Sequence, residues 1–173
     1  TQLASVELVK TAVGGSGTFH FALNGEDFGD DFRTVTVSAG MTGSVTWKDR
    51  EPGPYTVEEF DPGDKWLPGA ITCTIYPPTG SPRSDDASFV LAAGERAVCA
   101  ITNTRRGQIV IRKVTEPLSR EEFGFSTSFG PNITVVAGQP YYSPMLDPGT
   151  YTVTELQPLP SGWDLVGSTC SDG

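Results

Sequence analysis

"EPGPYTVEEFDPGDKW", residues 51–66, returns as "DPGTYTVTELQPLPSGW" at residues 147–163. Each copy runs an alternating Tyr-x-Val-x-Glu segment into a turn rich in proline, and each closes on tryptophan. Strict alternation is the period of a half-buried β-strand, and a repeated word means a repeated unit. Working outward, the landmarks keep their order. Lys10 in "VELVK" answers Lys113 in "IVIRK", "FHF" at 19–21 answers "FGF" at 123–125, and Tyr55, Glu59, Trp66 and Cys73 answer Tyr151, Glu155, Trp163 and Cys170. A unit of about one hundred residues is a domain and not a solenoid turn. The expected division is residues 1–106 and residues 107–173. The second copy has no counterpart of "DDASFVLAAGERAVCAITNT", residues 85–104, and is expected to lack its C-terminal strands, which further sequence or a strand from a neighbouring chain would supply. Only Arg105, Arg106 and Gly107 separate "CAITNT" from "QIVIRK", so the junction is expected to be short and stiff.

Composition excludes several classes. The 173 residues carry 12 basic and 21 acidic side chains, a net charge of −9, which repels phosphate backbones and anionic membranes. Nucleic acid is not expected as a partner. No apolar run approaches the roughly 20 residues that span a bilayer, and "TQLASVELVK" has neither the basic start nor the apolar stretch of a signal peptide. A secreted origin would therefore make this a mature or excised piece. Hydrophobic residues at 37% support a packed core, and 20 glycines with 14 prolines suit short strands joined by tight turns. Strands are expected near residues 5–12, 18–23, 33–38, 43–47, 54–60, 70–76, 87–91 and 97–103. No helical period stands out. Short strands at this spacing predict an all-β protein, an antiparallel sandwich with Greek-key connections.

Three polar residues fall on the wrong face. Residues two apart share a side of a strand, which groups Val6, Leu8 and Lys10, then Tyr55, Val57 and Glu59, then Cys99, Ile101 and Asn103. The second copy repeats the choice with Ile109, Ile111 and Lys113, and with Tyr151, Val153 and Glu155. A lysine, a carboxylate and an amide facing a core each cost several kcal/mol unless compensated. The plainer compensation is a strand end, snorkelling or an ordinary ion pair. The sharper one is a reaction: burial lowers the lysine pKa and raises that of the glutamate. Lys10 would then attack the side-chain amide carbon of Asn103 while Glu59 polarises the carbonyl and shuttles protons. Ammonia leaves and an isopeptide bond joins the first and last strands, once and without turnover.

The "YTVEE" and "YTVTE" words, each followed by a turn and an aromatic, resemble the E-box of the prealbumin-like, SpaA or collagen-adhesin B-type domains of Gram-positive surface proteins and pilins. "VELVK" and "ITNT" match that family's lysine and asparagine strands. The resemblance implies two tandem immunoglobulin-like (prealbumin-like) sandwiches, a Lys10–Asn103 cross-link assisted by Glu59, and a structural stalk or spacer role in a secreted, wall-associated adhesin or pilus. Lys113 and Glu155 would be the matching pair of the second domain, without an asparagine. Neighbouring repeats of the same protein are the expected partners. A different class remains open: a ligand-binding adhesin module that grips a host protein or a glycan, which exposed aromatics around Trp47, Tyr141 and Tyr142 would favour, or a filament subunit assembling by strand exchange.

The cysteines depart from the family pattern. Cys73 and Cys99 align with apolar Ile71 and Ile101 and are expected to form a disulfide, with two free buried thiols as the alternative; a disulfide could also replace the isopeptide. Cys170 stands unpaired. No CxxC occurs and the chain has one histidine, which argues against zinc or a thiol nucleophile. "NGEDFGDD" at residues 24–31 gathers carboxylates, with Asp27, Asp30 and Asp31 as weak calcium candidates, but its spacing is not an EF-hand loop. A solvated acidic turn is the expectation there, and no metal or cofactor is expected. His20, between Phe19 and Phe21, should face solvent. Asn132 opens a glycosylation sequon of little weight. Nothing suggests a multiple-turnover enzyme.

Overall fold

The computed structural model describes residues 2–26 and 29–171 and is all β, with no helix among the described residues. The chain divides into two compact units, Thr1–Arg106 and Gly107–Gly173.

The first unit contains β1 (Ala4–Val13), β2 (Gly17–Gly25), β3 (Gly29–Val37), β4 (Thr42–Arg50), β5 (Gly53–Glu59), β6 (Trp66–Pro68), β7 (Thr72–Tyr76), β8 (Arg83–Asp85), β9 (Ser88–Leu91) and β10 (Arg96–Arg105). One sheet runs β4-β1-β10-β7-β8, with β6 on the far end of β10; the other runs β3-β2-β5-β9. β1 and β10, the first and last strands, lie side by side and parallel, whereas the other pairings are antiparallel. Alternation decides which side chains fill the space between the sheets. Val6, Leu8 and Ala12 of β1, Phe19, Phe21 and Leu23 of β2, Val57 of β5, and Ala97, Cys99 and Ile101 of β10 share one core. This is the two-layer sandwich that the strand spacing implies.

All eight expected strands are present. β6 and β8 are additional, and neither carries an apolar alternation: β6 is three residues ending in proline, and β8, "RSD", is exposed throughout. The turn between β5 and β6 follows from Asp61-Pro62-Gly63. Asp61 Oδ1 accepts the Gly63 N–H at 2.8 Å, and Gly63 takes a φ of 86°, a left-handed value that glycine adopts without strain. Trp47 does not supply the exposed aromatic that would favour a ligand-binding module: it is fully buried in the core, where its indole N–H reaches the Asp31 carbonyl at 3.1 Å and the ring is free to pack.

The second unit contains β11 (Val110–Arg112), β12 (Glu122–Thr127), β13 (Ile133–Val136), β14 (Pro140–Tyr142) and β15 (Val153–Glu155), arranged as a β11-β14 pair and a β13-β12-β15 sheet. Its core gathers Ile111, Phe123, Phe125, Val135 and Ala137, with Ile109, Tyr141, Val153 and Trp163 packed against it. Tyr141 is thus half-buried, while Tyr142 is exposed. Cys170 is exposed with a free thiol.

The repeated words build repeated contacts. Phe21 pairs with Glu59 in the first unit and Phe125 with Glu155 in the second. Tyr55 donates its hydroxyl to the Glu51 carbonyl, and Tyr151 donates to Asp147, both at 2.6 Å. Phe19 meets Trp66 edge to face at 5.1 Å between ring centroids, and Phe123 meets Trp163 the same way at 5.9 Å.

Candidate functional site

The site lies between the sheets of the first unit, at the ends of three apolar stripes. Lys10 is the fourth inward residue of β1, after Ala4, Val6 and Leu8. Asn103 ends the inward series Ala97, Cys99 and Ile101 of β10. In the parallel β1-β10 register Lys10 stands beside Ile101, and Asn103 beside Ala12. Two residues of offset therefore separate Lys10 from Asn103 on one face of the sheet. Glu59 closes β5 on the opposite sheet, where its partner in β2 is Phe21.

One carboxylate serves both nitrogens. Lys10 Nζ lies 2.6 Å from Glu59 Oε1, with the lysine side chain 0% and the glutamate side chain 5% exposed. The Asn103 amide Nδ2 donates to both Glu59 oxygens, at 3.1 and 3.0 Å. Aromatic rings complete the enclosure: Nζ sits 4.3 Å from the Phe19 centroid and 5.8 Å from that of Phe21. Burial pushes the Lys10 amine below its usual 10.5, while Glu59 beside it pulls the other way; loss of hydration wins. Despite the ion-pair distance, Nζ makes no well-directed hydrogen bond, and Asn103 Oδ1 is buried without any partner. Glu59 thus contacts the amide nitrogen and not the carbonyl oxygen. In this arrangement it is placed to move protons between Nζ and Nδ2, whereas polarising the carbonyl, as the sequence suggested, would require the amide to turn over.

Cys73 and Cys99 are disulfide-bonded. They face each other directly in the β7-β10 register, and Cys99 lies on the same inward face of β10 as Asn103. The bridge therefore fixes the strand that carries the amide. In the second unit Lys113 Nζ lies 2.6 Å from Glu155 Oε1 and 4.3 Å from the Phe123 centroid, the same distances as in the first. No hydrogen bond reaches that Oε1.

The remaining candidates resolve simply. Asp31 is committed to Arg33 and to Arg50, the latter at 2.7 Å, Asp27 lies outside the described residues, and no group of three His, Cys, Asp or Glu suited to a metal occurs among the described residues. His20 is exposed and its Nδ1 contacts Thr34 Oγ1 at 3.1 Å. Asn132 is exposed, directly before β13. Sequence reasoning missed Glu95. It is buried and accepts from Arg83 at 2.5 and 2.8 Å and from the Ala92 N–H at 2.8 Å, which ties β8 to the turn before β10. Its signal would have been a lone acid within the apolar run "FVLAAGERAV", but a turn glutamate reads as solvated. A second feature was beyond sequence reach: a cleft of about 420 Å³ whose lining includes Glu59 and Ile101.

A match to a family model agrees with this architecture. A family model described as the prealbumin-like fold domain matches residues 6–105, from within β1 to the end of β10. Among solved structures the chain is similar to one described as the Bacillus anthracis TIE protein, at 19% identity over 95% of this chain and 30% of that one, with a TM-score of 0.42. The chain spans less than a third of that protein. No curated protein matches it. Because the family model takes in more than half of the sequence, this chain belongs to the SpaA-type prealbumin-like fold domain family.

Proposed function

We propose that this chain is a structural module of a secreted Gram-positive surface protein, a stalk or spacer whose first unit is locked by an isopeptide bond between Lys10 and Asn103. The observation that carries the reading is the shared carboxylate: Glu59 touches the attacking nitrogen at 2.6 Å and the leaving nitrogen at 3.0 Å. Proton transfer from the Lys10 ammonium to Glu59 yields a neutral amine, favoured where charge is poorly solvated. Nζ then bonds to Cγ of Asn103. The Cγ–Nδ2 bond breaks, one of the two protons that Nζ loses reaches Nδ2 through Glu59 while the other stays on Glu59, and ammonia departs. No oxidant or cofactor is consumed, and the step runs once.

The placement of the first and last strands supports the same role. Force applied to the two ends of the first unit enters through β1 and β10, which are adjacent and parallel. Pulling them apart is a shear of one strand pair, and a covalent bond between them bypasses every other contact. The test is proteolytic digestion with fragment sequencing by mass spectrometry. The expected product is a branched peptide joining Lys10 to Asn103, absent from Glu59→Ala. Linear peptides carrying unmodified Lys10 and Asn103 from the folded wild type would refute it.

A further inference from the structure

The proposed reaction makes ammonia in a place with no solvent. Lys10 and Asn103 are both fully buried, and an amine trapped beside a new amide is a nucleophile for the reverse reaction. An open cleft of about 420 Å³ lies against this site. Val57 and Glu59 of β5 form part of one wall, Ile71 and Ile101 part of the other, and Glu58 and Asp61 add carboxylates to the lining. Two contacts connect it to the chemistry. Glu59 is the hydrogen-bond acceptor of the leaving nitrogen, and Ile101 precedes Asn103 on the inward face of β10.

Resting on the cross-linking reading above, we propose that this cleft is the exit port of the reaction, through which ammonia released at Asn103 passes along Glu59 to solvent. The cleft opens at this point for a reason visible in the strand pairing. β9 covers β5 only from Gly53 to Thr56, so the last residues of β5, including Glu59, have no strand beside them on that side. Across the gap, β7 pairs with β10 as far as Ala100, and β6 takes over only at Asn103. The opening is therefore at the end of β5, beside Glu59, and on β10 between Ala100 and Asn103, where Ile101 lines the cleft. Acidic residues on the lining suit the departing species, because ammonia becomes ammonium at neutral pH and is drawn toward Glu58 and Asp61. Loss of the amine to solvent makes the bond irreversible.

The port is tested by filling it. Ala87 and Pro62 line the cleft, and neither pairs with Lys10, Glu59 or Asn103 across a strand. The full chain carrying Ala87→Phe or Pro62→Phe is made by cell-free translation, quenched in acid at intervals and weighed. Val90→Phe, in a separate cleft lined by Tyr55 and Arg83, is the control. Circular dichroism establishes that each variant is folded. The expected result is a cross-linking rate at least about tenfold slower in folded Ala87→Phe and Pro62→Phe, a change of about 1.4 kcal/mol in barrier, with Val90→Phe at the wild-type rate. Equal rates in all folded variants overturn the port while leaving the cross-link intact. Absence of ammonia loss from the wild type overturns the cross-link itself.

Discussion

Replacing both members of the disulfide, as Cys73→Ala with Cys99→Ala, should destabilise the first unit by about 4 kcal/mol. The cysteines are 26 residues apart, and closing a loop of that length removes about 3.5 kcal/mol of chain entropy from the unfolded state at 25 °C. Both sulfurs are buried in the core, so the smaller side chains add a packing loss of about 0.5–1 kcal/mol. For a unit of this size the total corresponds to a fall of about 16 °C in Tm. The assay is guanidinium unfolding followed by tryptophan fluorescence. Trp47 and Trp66 belong to the first unit and Trp163 to the second, so a Trp163→Phe background isolates the transition of interest and avoids mixing two unfolding events. The proposed isopeptide would close a loop of about 90 residues that contains the disulfide loop, so the two cross-links should contribute nearly independently. A loss below about 1 kcal/mol would refute this reasoning, since it would mean that the unfolded chain gains little freedom when the inner loop opens.

Gly69→Ala should lower stability by about 2 kcal/mol: a Cβ there would stand 2.5 Å from the Thr102 carbonyl oxygen, which already accepts the Gly69 N–H at 2.9 Å, so backbone must move, as a shift of the guanidinium midpoint would register. In Asn103→Ala, where no cross-link can form, Lys10 should make stability depend on pH. Its folded-state pKa is lowered from 10.5, chiefly by burial; the unfolded chain therefore holds the extra proton between the lowered value and 10.5, and stability should rise with pH across that window. Lys10→Met in the same background should flatten the slope, and an unchanged slope would count against a buried amine.

The sequence carried the fold where alternation was strong. Val6, Leu8 and Lys10, or Cys99, Ile101 and Asn103, announce both a strand and its inward face, so the polar residue at each stripe's end could be singled out before any geometry was known. Partner choice was not legible in the same way. That β1 lies parallel to β10, and that Glu59 meets Nδ2 and not Oδ1 of Asn103, depend on three-dimensional register that no local period encodes. Strands without a buried stripe left no trace, as with Arg83–Asp85. Whether Trp47 is exposed could not be read from the sequence, because the hydrogen bond that lets its indole be buried comes from Asp31, on another strand. The cleft beside Glu59 arises where β9 and β7 stop short, a property of strand ends, which periodicity locates least well.

The most direct test of the central claim is the intact mass of the folded chain under non-reducing conditions. The account predicts a wild type lighter than its sequence by one ammonia, beyond the hydrogens lost to the Cys73–Cys99 disulfide, and a Lys10→Arg variant that shows the disulfide loss alone. A folded wild type that retains the ammonia would contradict it, leaving Lys10, Glu59 and Asn103 as a buried polar cluster held only by the contacts between them.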